Sequence, residues 1–409
     1  MENNRVVISG IGVISSIGIG KEAFWNALEK GESGIREISR FDTSSCKAKL
    51  GGEIKNFDFY SLMQISESND DSRYRLMDSL SKLGVAGTKL ALEDTDLEIK
   101  KNETSRKGVI VGTVFGCLES NEMFNEGILR KGPLYVNPII FKNTISNGVG
   151  AQVAIEYSIK GVNLTFTSGI TSGMHAIIYA FDLIKHGEAD IIITIGIDKL
   201  CQVLFQGFDM LRLLSPQDNK LEGCRPFDRT RNGLVIGEGA GVLILEKLSY
   251  ALERKSKIYA EIVGFGIASG EENIARAMRL SLENAKILPQ KIDYICTSAN
   301  STKELDRRET KSIKDVFGEC AYKIPISSIK SIVGETFGAG GIFNVISGAM
   351  AISEGIIPPT INYENQDPEC NLNYVPNYPQ RSKVEFVLAN TAGRKKGEAI
   401  SIAMKRYTP

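Results

Sequence analysis

The chain has 409 residues, of which 42% are hydrophobic and 24% charged. This balance excludes long-range disorder and low-complexity character, and the length suits two fused units of roughly 200 residues. Forty-nine basic residues face 49 acidic ones, so nothing in the net charge points to a nucleic acid as partner.

The seven cysteines (46, 117, 201, 224, 296, 320 and 370) are scattered without a C-x-x-C pair, and only two histidines occur, His175 and His186. No metal site and no cofactor are expected from such a set, and reduced thiols in a cytoplasmic protein are. The start, MENNRVVISG, lacks a basic-then-apolar signal region. Residues 161–181 carry no Asp, Glu, Lys or Arg, but their Asn, Thr, Ser and His speak against a membrane span.

In chain order, RVVISGIGVIS (5–15), KGVIVGTVFG (107–116), ADIIITIGID (189–198), GAGVLILEKL (239–248), KIYAEIVGFG (257–266), DYICTSA (293–299) and VEFVLANTAG (384–393) are apolar runs of strand length. Their continuous apolarity predicts strands covered by helices on both faces. Helical patterns cover 79–98, before GVIVGT, and 274–293, before YICTSA. Residues 164–190 and 324–355 each read as strand, tight turn and long Gly/Ala-containing helix. These echoes predict a duplicated α/β unit with halves at 1–250 and 251–409.

Gly10, Gly12 and Ser15 form a loose G-x-G-x-x-S that lacks the third glycine of a dinucleotide fingerprint, and GEGAG (237–241) opens a strand rather than a helix. Both read as structural. The turn TSGITSG (167–173) has the small-residue, strand-to-helix form in which a nucleophile can sit at a helix N-terminus. Its centre is Ile170, flanked by Ser168 and Ser172. On local grounds a close-packing turn and an active site stay equally open.

The segments RVVISGIGVISSIG (5–18), GESGIREISRFD (31–42), RPFDRTRNGLVIGEGAGVLILE (225–246) and PPTINYENQDPEC (358–370) give the chain a resemblance to the β-ketoacyl-acyl-carrier-protein synthases, nearly end to end. The resemblance implies an α/β thiolase fold of five layers, α-β-α-β-α, built from two pseudo-repeated halves, and a dimer formed through sheet edges. It also implies a Cys nucleophile and two histidines in an active member. Here the Cys position is Ile170, the histidine positions are Ser298 and Glu335, and the nearby lysine is retained as Lys330. The lysine's usual acidic supporter is Asn344, and Arg394 in AGRKKGE (392–398) stands where a gating Phe is expected. His175 and His186 share one helical stretch, so they cannot supply two separate loops.

This profile resembles the chain length factors, ketosynthase-like subunits without the Cys that pair with an active ketosynthase. Many of those carry Gln where this chain has Ile170. The resemblance implies no activity alone, a heterodimer with an active ketosynthase, an acyl carrier protein as second partner, and an interface tunnel that sets acyl or polyketide chain length. Tunnel positions fall at Leu118, Asn121 and Asn125. Two alternatives stand beside it: an acyl-transferring or condensing enzyme using a non-standard residue such as Cys117, Cys296 or Glu335, and a carrier-protein-binding scaffold. Lys330 and Glu335, five residues apart, are expected to form an ion pair if both are buried.

Overall fold

A computed structural model describes residues 4–65, 72–99, 105–217 and 222–408. The β-branched runs of the first half become β1 (Val6–Ser15), β2 (Lys107–Gly112), β3 (Asn163–Phe166), β4 (Ile191–Asp198) and β5 (Gly239–Lys247). Those of the second half become β6 (Ala260–Gly270), β7 (Tyr294–Cys296), β8 (Ile326–Ser327), β9 (Phe386–Ala392) and β10 (Lys396–Lys405). β1, β2 and β4 are buried along their whole length, as continuous apolarity demands.

The spatial order is β3-β2-β4-β5-β1 in the first half and β8-β7-β9-β10-β6 in the second. Counted from each half's first strand, both read 3-2-4-5-1. The pairing repeats too: β2 runs parallel to β3 and β4, and β7 runs parallel to β8 and β9. The last strand of each half is antiparallel to both of its neighbours. The halves join where Val6–Ile8 of β1 pairs with Ala260–Ile262 of β6, giving one large mixed sheet.

Five helices supply the three helical layers: α1 (Ser79–Asp94), α3 (Ser172–Lys185), α4 (Asn273–Ala285), α5 (Lys303–Phe317) and α6 (Gly338–Glu354). The helix α2 (Leu118–Lys131) lies after β2 and buries no residue. The α6 sequence GAGGIFNVISGAMAISE is apolar on every face, and such a helix is stable only when enclosed. It packs on β4 and β5 of one half, on β7 and β9 of the other, and on α3. α1 covers β1 and β5 from outside; α4 covers β6 and β10 and carries α5 beside it. The layers are therefore α-β-α-β-α, the thiolase fold.

The two central helices meet backbone to backbone. A Cβ at Gly173 in α3 would lie 2.2 Å from the carbonyl oxygen of Gly338 at the start of α6, so any larger residue there would force the helices apart. Helix ends fall short of the expected spans for local reasons. α1 begins at the Asp78 cap, whose carboxylate accepts from the Ser81 amide, and stops before Asp96, which is left-handed. The helix expected over 274–293 ends at Ala285, because Lys286 adopts φ 55° and Pro289 follows. Residues 161–181 form β3, a turn and the start of α3; among the described residues no helix is long and apolar enough to cross a membrane.

Candidate active-site cavity

β3 ends at Phe166, Gly169 turns the chain at φ 77°, and one 3-10 turn (Gly169–Thr171) delivers Ile170 to the N-terminal end of α3. Ile170 lines a cavity of about 980 Å³. Phe115, Phe208 and Phe337 form one wall, with Phe337 edge-on to Phe115 at 4.8 Å between centroids and to Phe208 at 5.3 Å. Ile170 thus presents only methyl and methylene groups to the cavity.

Ser298 does not line this cavity. It is fully buried, its Oγ accepts from the Ala392 amide at 2.9 Å, and its own amide donates to Glu309 Oε1 at 3.0 Å. Glu335 reaches the cavity wall, yet its carboxylate is already occupied. It accepts from Lys330 Nζ at 2.8 Å, from Asn300 Nδ2 at 3.0 Å and from the Phe337 amide at 3.2 Å. Lys330 and Glu335 are 2% and 1% exposed, so they form a buried, hydrogen-bonded ion pair as expected. Lys330 also donates to the Ser298 carbonyl at 2.9 Å. Asn344 donates to the carbonyls of Thr297 and Asn390, tying β7 to β9 rather than supporting the lysine. An anionic carboxylate in this wall would oppose negative charge developing on a substrate oxygen.

Three further carboxyls are buried in neighbouring segments without lining the cavity. Asp198 accepts from Thr113 Oγ1 and from the amides of Val114, Phe115 and Gly338, which fastens the end of β2 to the start of α6; burial pushes its pKa up to about 6. Asp306 accepts from the amides of Phe227 and Asn300 and is likewise raised by burial to about 6. Glu309, held by the Ser298 amide and Asn390 Nδ2, is pushed by burial to about 7.

The turn between β9 and β10 closes over Ile170, with Gly393 packed near its side chain. Arg394, Lys395 and Lys396 are exposed there, and the first two line the cavity mouth. This turn is pinned from below: Glu398 Oε1 accepts from Thr171 Oγ1 at 2.6 Å and lies 2.6 Å from His175 Nε2. His175 in turn stacks on Phe166. His186 caps the far end of α3, so the two histidines do not meet.

The packing speaks against Cys117 and Cys296 as non-standard nucleophiles. Cys117 and Cys296 are 3% and 2% exposed, neither lines the cavity, and burial pushes both thiols up to about 12. Almost no thiolate forms at neutral pH in such a site. Of the three expected tunnel positions, Leu118 is half-buried, Asn121 donates to the carbonyls of Cys117 and Thr144, and Asn125 is exposed on α2. None of them lines the 980 Å³ cavity.

Sequence reasoning missed Glu398, Glu309, Asp198 and the three phenylalanines. Glu309 and Asp306 lie in KELDRRET (303–310), a segment that resembles the corresponding one of chain length factors; their i, i+3 spacing was the available signal. The phenylalanines come from three distant segments, and nothing local announces their convergence.

Comparison with known proteins agrees with this architecture. The β-ketoacyl synthase N-terminal domain model matches residues 3–251 and the C-terminal domain model residues 259–364. A 3-oxoacyl-[acyl-carrier-protein] synthase 2 of Coxiella burnetii is 35% identical over 405 residues, 96% of each chain. One from Synechocystis is 35% identical over 419 residues, covering 100% of this chain and 99% of its own. Among solved structures, the ishigamide ketosynthase/chain length factor superposes with TM-score 0.90 at 30% identity, over 99% of this chain and 100% of its own. A type II polyketide-synthase acyl carrier protein in complex with its ketosynthase bound to the hexaketide gives 0.87 at 27% identity, covering 100% of both chains. The protein belongs to the β-ketoacyl synthase family.

Proposed function

We propose that this chain is a non-catalytic ketosynthase-like subunit of chain-length-factor type. It pairs with an active ketosynthase, and acyl carrier protein delivers the growing chain to that pair. The observation that carries this reading is Ile170. At the N-terminal end of α3, where a nucleophile would face the cavity, the side chain has no atom that could attack a thioester. The two other positions add no imidazole: Ser298 lies outside the cavity and Glu335 is committed to Lys330.

Two surface features support pairing. β3 is the last strand of its sheet, and its outer edge has no strand partner among the described residues. Met123, Leu129, Leu134, Tyr135 and Phe141, on and after α2, are all more than half exposed, large apolar side chains of the kind that a partner surface covers. Leu118, Asn121 and Asn125 lie on the same helix, where a tunnel shared with the partner would pass. Length would then be set by steric termination, each methylene left unburied costing about 0.8 kcal/mol.

A self-contained condensing enzyme is the second reading, favoured by the 35% identity to 3-oxoacyl synthases and by the open cavity. The burial of Cys117 and Cys296 counts against it. Acyl transfer from acyl carrier protein separates the two: the first reading expects no acyl-enzyme on the lone chain by intact-mass analysis, and a Cys-dependent acyl adduct would establish the second.

A further inference from the structure

The outer face of the first half carries a second hollow that shares no lining residue with the Ile170 cavity. It is a groove of about 610 Å³ between the C-terminal end of α1, with the chain leading to Ile99, and the end of the helix Gly148–Glu156. Leu92, Leu97, Ile99 and Tyr157 make its lining mostly apolar. The Tyr157 hydroxyl donates to the Val85 carbonyl at 3.0 Å, so that polar group is already satisfied. Four carboxylates, Glu93, Asp96, Glu98 and Glu156, stand against one lining cation, Lys89. Lys89 offsets Glu93 at 2.8 Å, and Arg73 offsets Glu156 at 3.0 Å. Asp96 and Glu98 are exposed, and neither has an ion-pair partner among the described residues. The helix Gly148–Glu156 adds the negative end of its dipole. An apolar strip is thus bordered by uncompensated negative charge.

We infer that this groove docks a segment of a partner protein that carries lysine or arginine beside apolar side chains. The cations meet Asp96 and Glu98, and an apolar side chain covers Leu92, Leu97 and Tyr157. Charge complementarity selects the sign of the partner, and the apolar strip distinguishes docking from a merely solvated acidic surface. The groove is open along one side, which suits a segment laid across it rather than a small molecule enclosed in it. No residue of β3 or α2 lines it, so the site is distinct from the surfaces assigned to pairing.

Fluorescence anisotropy of a labelled peptide of alternating lysine and leucine, titrated with the full chain, tests this. The expected result is saturable one-to-one binding, at least about tenfold tighter than that of a lysine–serine peptide. A glutamate–leucine peptide should not bind. Asp96→Asn/Glu98→Gln, at two exposed positions, should weaken the lysine–leucine peptide at least about fivefold. Glu283→Gln/Asp315→Asn, which removes exposed acids on α4 and α5, should leave its affinity within about twofold. Equal binding of the lysine–leucine and lysine–serine peptides, equal losses in the two double variants, or no saturable binding would each overturn the inference. Displacement of the peptide by spermine at equal charge concentration, or self-association of the chain that Asp96→Asn/Glu98→Gln abolishes, would assign the groove to a small polycation or to a second copy and overturn it as well.

Discussion

Removing the Glu335 carboxylate should destabilise the protein far more than removing the whole ion pair. In Glu335→Ala, the Lys330 ammonium, 2% exposed, keeps only the Ser298 carbonyl as partner, and the donors on Asn300 and Phe337 are orphaned. At 2.8 Å and an effective dielectric of ~20, the lost attraction is about 6 kcal/mol. Relaxation and water entry return part of that, so breaking a buried pair costs about 3–5 kcal/mol. In Lys330→Met/Glu335→Leu no buried charge remains, and the loss should shrink by at least about 2 kcal/mol. Urea unfolding of wild type, Glu335→Ala, Lys330→Met, Glu335→Leu and Lys330→Met/Glu335→Leu, at one protein concentration, gives these losses and the coupling energy. Additive single effects, or a loss below about 1 kcal/mol for Glu335→Ala, would refute the geometry argued for this wall.

Other perturbations test neighbouring parts. Ile170→Cys should become alkylable by iodoacetamide yet form no condensation product with malonyl carrier protein; turnover would show that the wall still supports chemistry. Glu309, raised to about 7 from about 4.5, binds its proton more tightly when folded. Its contribution is therefore full below about pH 4.5 and is lost as pH rises through about 7, by about 3 kcal/mol. Glu309→Gln should flatten the fall in stability over that window, and an unchanged pH profile would contradict the assignment. In thiol titration of the native chain, Cys320, the one half-exposed cysteine, should react well ahead of the other six; early reaction of Cys296 would reopen its candidacy as nucleophile. Asn125→Phe should shorten products made by the pair, and unchanged length across substitutions at 118, 121 and 125 would remove the tunnel assignment.

Much of the fold was legible because its strands are buried on both faces. Runs such as RVVISGIGVIS and ADIIITIGID admit no other use in a chain of this composition, and they became β1 and β4. β10 escaped notice because it starts in the polar run KKGE, which reads as loop, and turns apolar only from Ala399. At the site, Ile170 and the Lys330–Glu335 pair could be placed from local segments. The pinning of the β9–β10 turn by Glu398 could not, since its partners Thr171 and His175 lie more than 220 residues away in sequence. Only the stacked halves bring them together. Nor does a cysteine at a strand end declare its burial: Cys296 lies against Gly348 of α6, a contact between layers that no spacing encodes.

Native mass spectrometry of this chain, first alone and then with an intact ketosynthase from its own locus, tests the central claim most directly. The account predicts a one-to-one complex with that ketosynthase, formed through the β3 edge and the apolar surface around α2. A stable homodimer that ignores the ketosynthase would contradict it.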